Sequence, residues 1–312
     1  MEVLKADIIC AGEILVDFIG HELQPIAHTK DYHRYLGGSP TNVAVNLQRL
    51  GKSVALVATC GQDGLGTYII DKLKSNQVDC RYIRQTMEHP TSVIFISRST
   101  ETPEFIPFRE ADCQILTSQF PDDLVQNCQV FHTTCFALSK NPAREAILNR
   151  AAAAKAAGAL LSIDLNYASK IWPDLLEAHQ IIRSYLSHGA LLKISNDDCY
   201  RFFGTHKSES EIFSFFHNSG AKIICLTKGP DGVSVSAANG ETFSKPALPI
   251  ESVKDTTGAG DAFWSGFIFA YLSGYSLPDC TKAAQKLAHI KLQNVGRIPD
   301  NIPLREAVFH GI

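Results

Sequence analysis

Short apolar runs alternate with helix-patterned stretches along nearly the whole chain, and this alternation limits the fold more than any other feature. Ile8 to Ala11, Val54 to Thr59, Val130 to Thr133, Ala159 to Asp164, Ala190 to Ile194 and Lys222 to Thr227 read as buried strands. Helical segments separate most of them. Ser39 is placed to cap one helix, with Pro40 at its first position and Val43, Leu47 and Leu50 on one face until Gly51. Asn141-Pro142 opens an alanine-rich helix that ends near Gly158, and Ser208-x-x-Glu211 forms a capping box. Strands joined through helices run parallel and need apolar cover on both faces. The expected fold class is therefore α/β, a three-layer sandwich around a largely parallel sheet.

Two stretches break the rhythm. Asp31 to Gly38 follows the Val16 to Ile19 strand too closely for a helical crossover, and Ser92 to Arg109 reads as two strands around a Thr/Glu/Pro turn. Both suit a small separate antiparallel sheet. A further hairpin is expected over Val233 to Ser244, turning at Asn239-Gly240. With 312 residues, 45% of them hydrophobic, the chain can bury a large core. A net charge of −3 argues against a nucleic-acid surface. The nine cysteines are scattered and none has CxxC spacing, so neither a disulfide framework nor a zinc site is expected. The N-terminus lacks the basic start of a signal peptide, and no apolar run reaches the roughly 18 residues of a membrane span. These features point to the cytoplasm.

The chemistry concentrates in Asp255-Thr256-Thr257-Gly258-Ala259-Gly260-Asp261, followed at once by the apolar run Ala262 to Leu272. A helix N-terminus carries unpaired N–H groups and a partial positive charge, and glycines let those groups approach an anion. Gly258, Ala259 and Gly260 would thus cradle a phosphoryl group, with Asp261 beside it as general base for a hydroxyl. Taken alone, a Gly-Ala-Gly-Asp string is equally a turn whose Asp complements the helix dipole. Two other features are decoys. Gly61-Gln62-Asp63-Gly64-Leu65-Gly66 lacks Gly-x-Gly-x-x-Gly spacing and reads as a structural turn. His132, close to Cys135, reads as a strand-borne core histidine.

The seven-residue string resembles the signature of the ribokinase-like (PfkB) family of sugar and nucleoside kinases. Gly37-Gly38-Ser39-Pro40-Thr41-Asn42-Val43-Ala44 is similar to the family's first signature, and Gly12-Glu13-Ile14-Leu15-Val16-Asp17 to its opening strand. Lys193, Ser195 to Asp198, and Thr227-Lys228-Gly229-Pro230-Asp231-Gly232 follow in the family's order. The resemblance implies one ribokinase-like domain over residues 1–312, with a discontinuous β lid at about 13–38 and 91–112 that supports dimerisation in relatives.

It further implies ATP and Mg²⁺ as cofactors and a monosaccharide acceptor, fructose first. Asp17, Gly37, Gly38, Asn42, Arg109 and Asn166 would face the sugar. Lys193, Ser195, Thr227, Gly229, Gly232 and Asn294 would border the nucleotide. Asp198 would hold Mg²⁺ through water, and Asp255 would border a monovalent cation such as K⁺. The sequence departs from the family at two places: Ala168 replaces the Arg of an Asp-x-Asn-x-Arg element, and Ser195 and Asp198 replace an Asn-x-x-Glu pair. The first favours a neutral sugar over the runner-up substrates, 2-keto-3-deoxygluconate and 5-dehydro-2-deoxygluconate. An oxidoreductase on a doubly wound sheet, or a sugar-binding protein without activity, are the competing classes. The missing dinucleotide fingerprint counts against the first, and Asp261 against the second.

Overall fold

The computed structural model describes residues 6–99 and 103–310. The chain divides into two compact units, one from Met1–Gly12 and Ile115–Ala247, the other from Glu13–Gln114 and Leu248–Ile312. The fold is mixed α/β, with a large, mostly parallel sheet flanked by helices and a second, smaller sheet.

The second unit begins with β2 (Leu15–Gly20), β3 (Tyr32–Gly37), α1 (Ser39–Arg49), β4 (Val54–Gly61), α2 (Gly64–Ser75), β5 (Ile83–Thr86), β6 (Val93–Ile96) and β7 (Phe105–Phe108). It ends with α8 (Ala259–Leu272), α9 (Leu277–Leu292) and α10 (Leu304–Phe309). Its small sheet has the order β3-β2-β6-β7, with β3 and the β6–β7 hairpin drawn from the two stretches that broke the sequence rhythm; the antiparallel expectation is corrected at its centre, where β2 and β6 run parallel. Register places Asp17 opposite Tyr35 and Leu15 opposite Gly37. α8 is apolar nearly all round, and Asp261 through Ala270 are buried. A helix hydrophobic on every side has to be enclosed, and α8 packs against both α1 and α9.

The first unit holds β1 (Ile8–Ala11), α3 (Asp122–Asn127), β8 (Val130–Thr134), α4 (Ala143–Ala156), β9 (Leu160–Asp164), α5 (Leu175–Leu186) and β10 (Ala190–Ser195). α6 (Asn196–Phe203), α7 (Glu209–Asn218), β11 (Ile223–Thr227), β12 (Val233–Ala237) and β13 (Thr242–Lys245) complete it. Strands β1, β8, β9, β10 and β11 are parallel neighbours, and the expected β12–β13 hairpin continues the sheet antiparallel. Its parallel strands are buried apolar runs, as strands covered on both faces must be. Ser208 and Glu211 form the anticipated capping box at α7.

One capping assignment is corrected. Ser39 is the first helical residue of α1 and Gly38 is the cap, with no side-chain capping bond. Gly38 stands at φ +99°, so the chain leaves extended geometry one residue early. The Ser39 N–H is met instead by the buried Glu13 carboxylate at 3.2 Å. The Asp63 turn is structural, as expected. Asp63 caps α2 through the N–H groups of Leu65 and Gly66, and its other oxygen accepts the N–H of Thr91.

No helix among the described residues is long and apolar enough to cross a membrane. All nine cysteines are free thiols, and all but Cys80 are buried.

Candidate active site

In the second unit the starts of α1 and α8 meet. Asp261 sits at the third position of α8, where its carboxylate faces the positive end of the helix dipole. Its Oδ2 accepts a 2.8 Å hydrogen bond from Asn42 Nδ2, on the first turn of α1. Gly258 caps α8 in the left-handed region at φ +76°, a conformation that costs other residues about 1–2 kcal/mol. A Cβ on Gly258 would lie 3.7 Å from both Asn42 Nδ2 and Asp261 Oδ2, so a longer side chain would fill the space these groups share. Two hydroxyls at these helix starts, Ser39 Oγ and Thr257 Oγ1, are shielded from solvent and make no hydrogen bond within the protein. Buried polar groups are rarely left so unless a ligand or water meets them.

Asp17 is buried on β2 and lies against the adjacent strand. A Cβ at Gly37 would fall 2.4 Å from the Asp17 carboxyl, so only glycine leaves room for it. Burial pushes the Asp17 carboxyl up to about 8, with Asp261 and then Asp255 adding like-charge repulsion. Below that pH the group is a neutral acid that can donate as well as accept. Gly38 is constrained more severely, because a Cβ there would approach the Glu13 carbonyl oxygen to 2.2 Å. Gly38→Ala combines backbone strain with this overlap. It is expected to cost about 3 kcal/mol, read as a lower urea midpoint at unchanged slope. An unchanged midpoint would show that the turn relaxes freely.

Arg109 does not project toward the sugar-facing groups as an open guanidinium. It is buried and bonded to Asp112 Oδ2 through Nε at 2.9 Å and Nη2 at 2.6 Å. Asp112 is fully enclosed and also accepts from the Ser92 hydroxyl at 2.6 Å. The three residues tie the end of β7 to the start of β6. Breaking a buried pair leaves a bare charge. Asp112→Ala is therefore expected to lower stability by about 3–5 kcal/mol, measured by urea unfolding. A loss within the range of a surface pair would mean that Arg109 reaches solvent when its partner is gone.

The monovalent-cation expectation at Asp255 meets a different arrangement. Asp255 is 1% exposed, and its carboxylate accepts from the N–H groups of Thr257 at 3.0 Å and Gly296 at 2.8 Å. The remaining approach is filled by the Lys291 ammonium, 3.3 Å from Asp255 Oδ2 and 2.9 Å from the Asn294 carbonyl. These residues do not fit a second cation. Asn294 itself turns its side-chain amide to the Ile290 carbonyl at 2.8 Å.

The remaining expected residues lie in the first unit. Lys193 is buried in an ion pair with Asp164, its Nζ 3.0 and 3.1 Å from the two carboxylate oxygens. Ser195 is the cap of α6 and forms a capping box with Asp198. Asp198 accepts from the Ser195 hydroxyl at 2.6 Å and from Arg201 at 2.9 Å. Both carboxylate oxygens thus already accept hydrogen bonds within the protein. No cluster of three His, Cys, Asp or Glu side chains suited to a metal occurs among the described residues.

Asn166 adopts φ +21° after β9 and accepts from the Phe136 N–H at 3.2 Å. Thr227 ends β11, and its hydroxyl leans on the Ile194 carbonyl at 3.4 Å. Gly229 is open to its surroundings, whereas a Cβ at Gly232 would strike the Lys245 carbonyl oxygen at 2.1 Å. His132 is a core residue, bonded to Ser162 at 2.9 Å and driven down to about 3 by burial.

Sequence reasoning missed Lys291, Asp112 and the role of Glu13. Lys291 lies in a helical pattern where lysine normally faces solvent, and only Asp255 in the motif hinted at a nearby cation.

The family model described as pfkB family carbohydrate kinase matches residues 5–304. An ATP-dependent 6-phosphofructokinase of Thermoanaerobacterium thermosaccharolyticum is 34% identical over 296 residues, 95% of this chain and 91% of that protein. A probable fructokinase-7 of Arabidopsis thaliana is 32% identical over 282 residues, 86% of this chain and 80% of its own length. The solved fructokinase of Halothermothrix orenii superposes with a TM-score of 0.75 at 34% identity, covering 90% of this chain and 96% of that one. The match over almost the full length, with the acidic group and glycine cap brought together at the start of α8, establishes that the chain belongs to the pfkB family of carbohydrate kinases, a family of sugar phosphotransferases.

Proposed function

We propose that this carbohydrate kinase transfers the γ-phosphoryl group of ATP to a hydroxymethyl group of a monosaccharide in the cytoplasm, with fructose as the acceptor. The observation that carries the reading is the Asn42–Asp261 hydrogen bond, which fixes a carboxylate beside the N–H groups that open α8. A sugar hydroxyl is a weak nucleophile at neutral pH. Asp261 takes its proton as the new P–O bond forms. The N–H groups of Gly258 and Gly260 meet charge developing on the transferring phosphoryl oxygens, whereas the Ala259 N–H expected beside them is donated to the Thr256 carbonyl at 3.1 Å. Asp17, protonated below about pH 8, donates to one sugar hydroxyl and accepts from another. Thr227, Gly229 and Gly232 follow a parallel strand, where nucleotides commonly sit in open α/β sheets. Mg²⁺ binds mainly through phosphate and water in such enzymes and supplies charge neutralisation on the nucleotide.

The reading is tested by acceptor-dependent ADP release. The panel is fructose, fructose 6-phosphate, 2-keto-3-deoxygluconate, 5-dehydro-2-deoxygluconate, ribose and adenosine. Fructose is expected to give the highest kcat/KM. No acceptor-dependent ADP from any of them would leave a binding protein on a kinase scaffold. A phosphorylated sugar is the second reading, favoured by the 34% identity to a protein named as a 6-phosphofructokinase. The fructose and fructose 6-phosphate arms separate the two.

A further inference from the structure

Three carboxylates, Asp17, Asp255 and Asp261, crowd the start of α8, and Asp17 registers the charge of both others. A buried cation, Lys291, faces two of them, Asp255 and Asp261. Lys291 projects from the last turn of α9 with its side chain 3% exposed. Its ammonium meets Asn294 O at 2.9 Å, Asp255 Oδ2 at 3.3 Å and Asp255 O at 3.4 Å. An ammonium has three donors, and three oxygens receive them. Two of the three are backbone carbonyls, the kind of oxygen that also ligates a free cation.

Asp255 Oδ2, which faces Lys291, also binds the Gly296 N–H, and Oδ1 binds the N–H of Thr257, one residue before the cap of α8. The ammonium therefore joins the turn entering α8 to the loop leaving α9. It also lies close behind the cradle, because a Cβ on Gly258 would be 3.8 Å from Lys291 Cε. Burial draws the lysine below its ordinary pKa, while Asp255 and then Asp261 oppose that change.

We infer that Lys291 is a tethered monovalent cation: it fills the oxygen cage behind the phosphoryl cradle, so the protein needs no K⁺ and acquires a K⁺ or NH₄⁺ requirement when the ammonium is removed. The catalytic half of this inference rests on the proposed cradle, whereas the cation half rests on the cage alone. Lys291→Ala leaves the carbonyls and the Asp255 carboxylate in place around an empty position. A soluble cation that enters the cage stabilises the folded state by mass action.

The test compares the wild-type chain with Lys291→Ala in KCl, NH₄Cl and choline chloride at equal ionic strength. Thermal midpoints are read without sugar or nucleotide. The wild-type midpoint is expected to be the same in all three salts. The variant is expected to melt lower in choline and to recover by about 5 °C in KCl or NH₄Cl. Acceptor-dependent ADP release should follow, with a loss on the order of tenfold in choline that is restored by K⁺. A K⁺-specific rise in the wild-type midpoint or activity would overturn the inference. So would a folded variant whose midpoint is equal in all three salts. If Lys291→Ala does not fold in choline, Lys291→Gln carries the same comparison, and folding only in K⁺ or NH₄⁺ counts in favour. Because the melts contain neither substrate, they stand whether or not the sugar assignment holds.

Discussion

Asp261→Asn is expected to lower kcat by at least about 10²-fold while leaving the fold intact, the loss typical of a missing general base. The substitution keeps the size of the side chain. An Asn side-chain oxygen can still accept the 2.8 Å hydrogen bond that Asn42 donates to Asp261. What it removes is the ability to take the acceptor's proton. The change should therefore fall on kcat, with KM for the sugar little altered. Steady-state ADP release and a thermal melt on the same preparation separate chemistry from folding. Turnover within a few-fold of wild type would remove Asp261 from the proton transfer and leave it as a dipole-complementing residue of α8.

The second large effect is a dependence of stability on pH that originates in Asp17. In the unfolded chain its carboxyl ionises near 3.8, and in the folded protein near 8. Between those values the folded state retains a proton that the unfolded chain has released. The contribution is complete below pH 3.8 and is lost as pH rises toward 8. The limiting slope is about 1.4 kcal/mol per pH unit, which over this window amounts to something on the order of 5 kcal/mol. His132 acts in the opposite direction. Its folded value near 3 lies below the ordinary 6.5, so its contribution is lost as pH falls through that range. The two slopes oppose each other at acid pH, and the Asp17 effect stands alone above about pH 6.5. Asp17→Asn cannot ionise. Urea unfolding from pH 5 to 8 is expected to show the variant gaining on wild type as pH rises. Parallel profiles for the two proteins would mean that Asp17 is already ionised in the folded state.

The strands and most helices were readable in the sequence because their signals are local. An apolar run such as Ile223 to Leu226 is a buried strand wherever it lies, and Ser208 needs only Glu211 to cap a helix. The start of α8 was legible for the same reason, since two glycines, an acid and an enclosed apolar helix are contiguous. Ser39 misled because the choice of cap depended on Glu13, distant in sequence, whose carboxylate reaches the Ser39 N–H.

Arg109 likewise looked like an open guanidinium, but a partner three residues away claims it once both are enclosed. Lys193 and Asp198 carry charge that a sequence assigns to ligand or solvent with equal ease. Burial then forced each into an ion pair, because an unpaired charge away from water is costly. By itself, then, the sequence determined the α/β layering and the acidic helix start. Only the tertiary structure decided which charges meet: Asn42 with Asp261 across 219 residues, and Lys291 with Asp255 across 36. Periodicity and capping act over a few residues of chain, whereas the pairing of buried charges is set by the packing that removes water from around them.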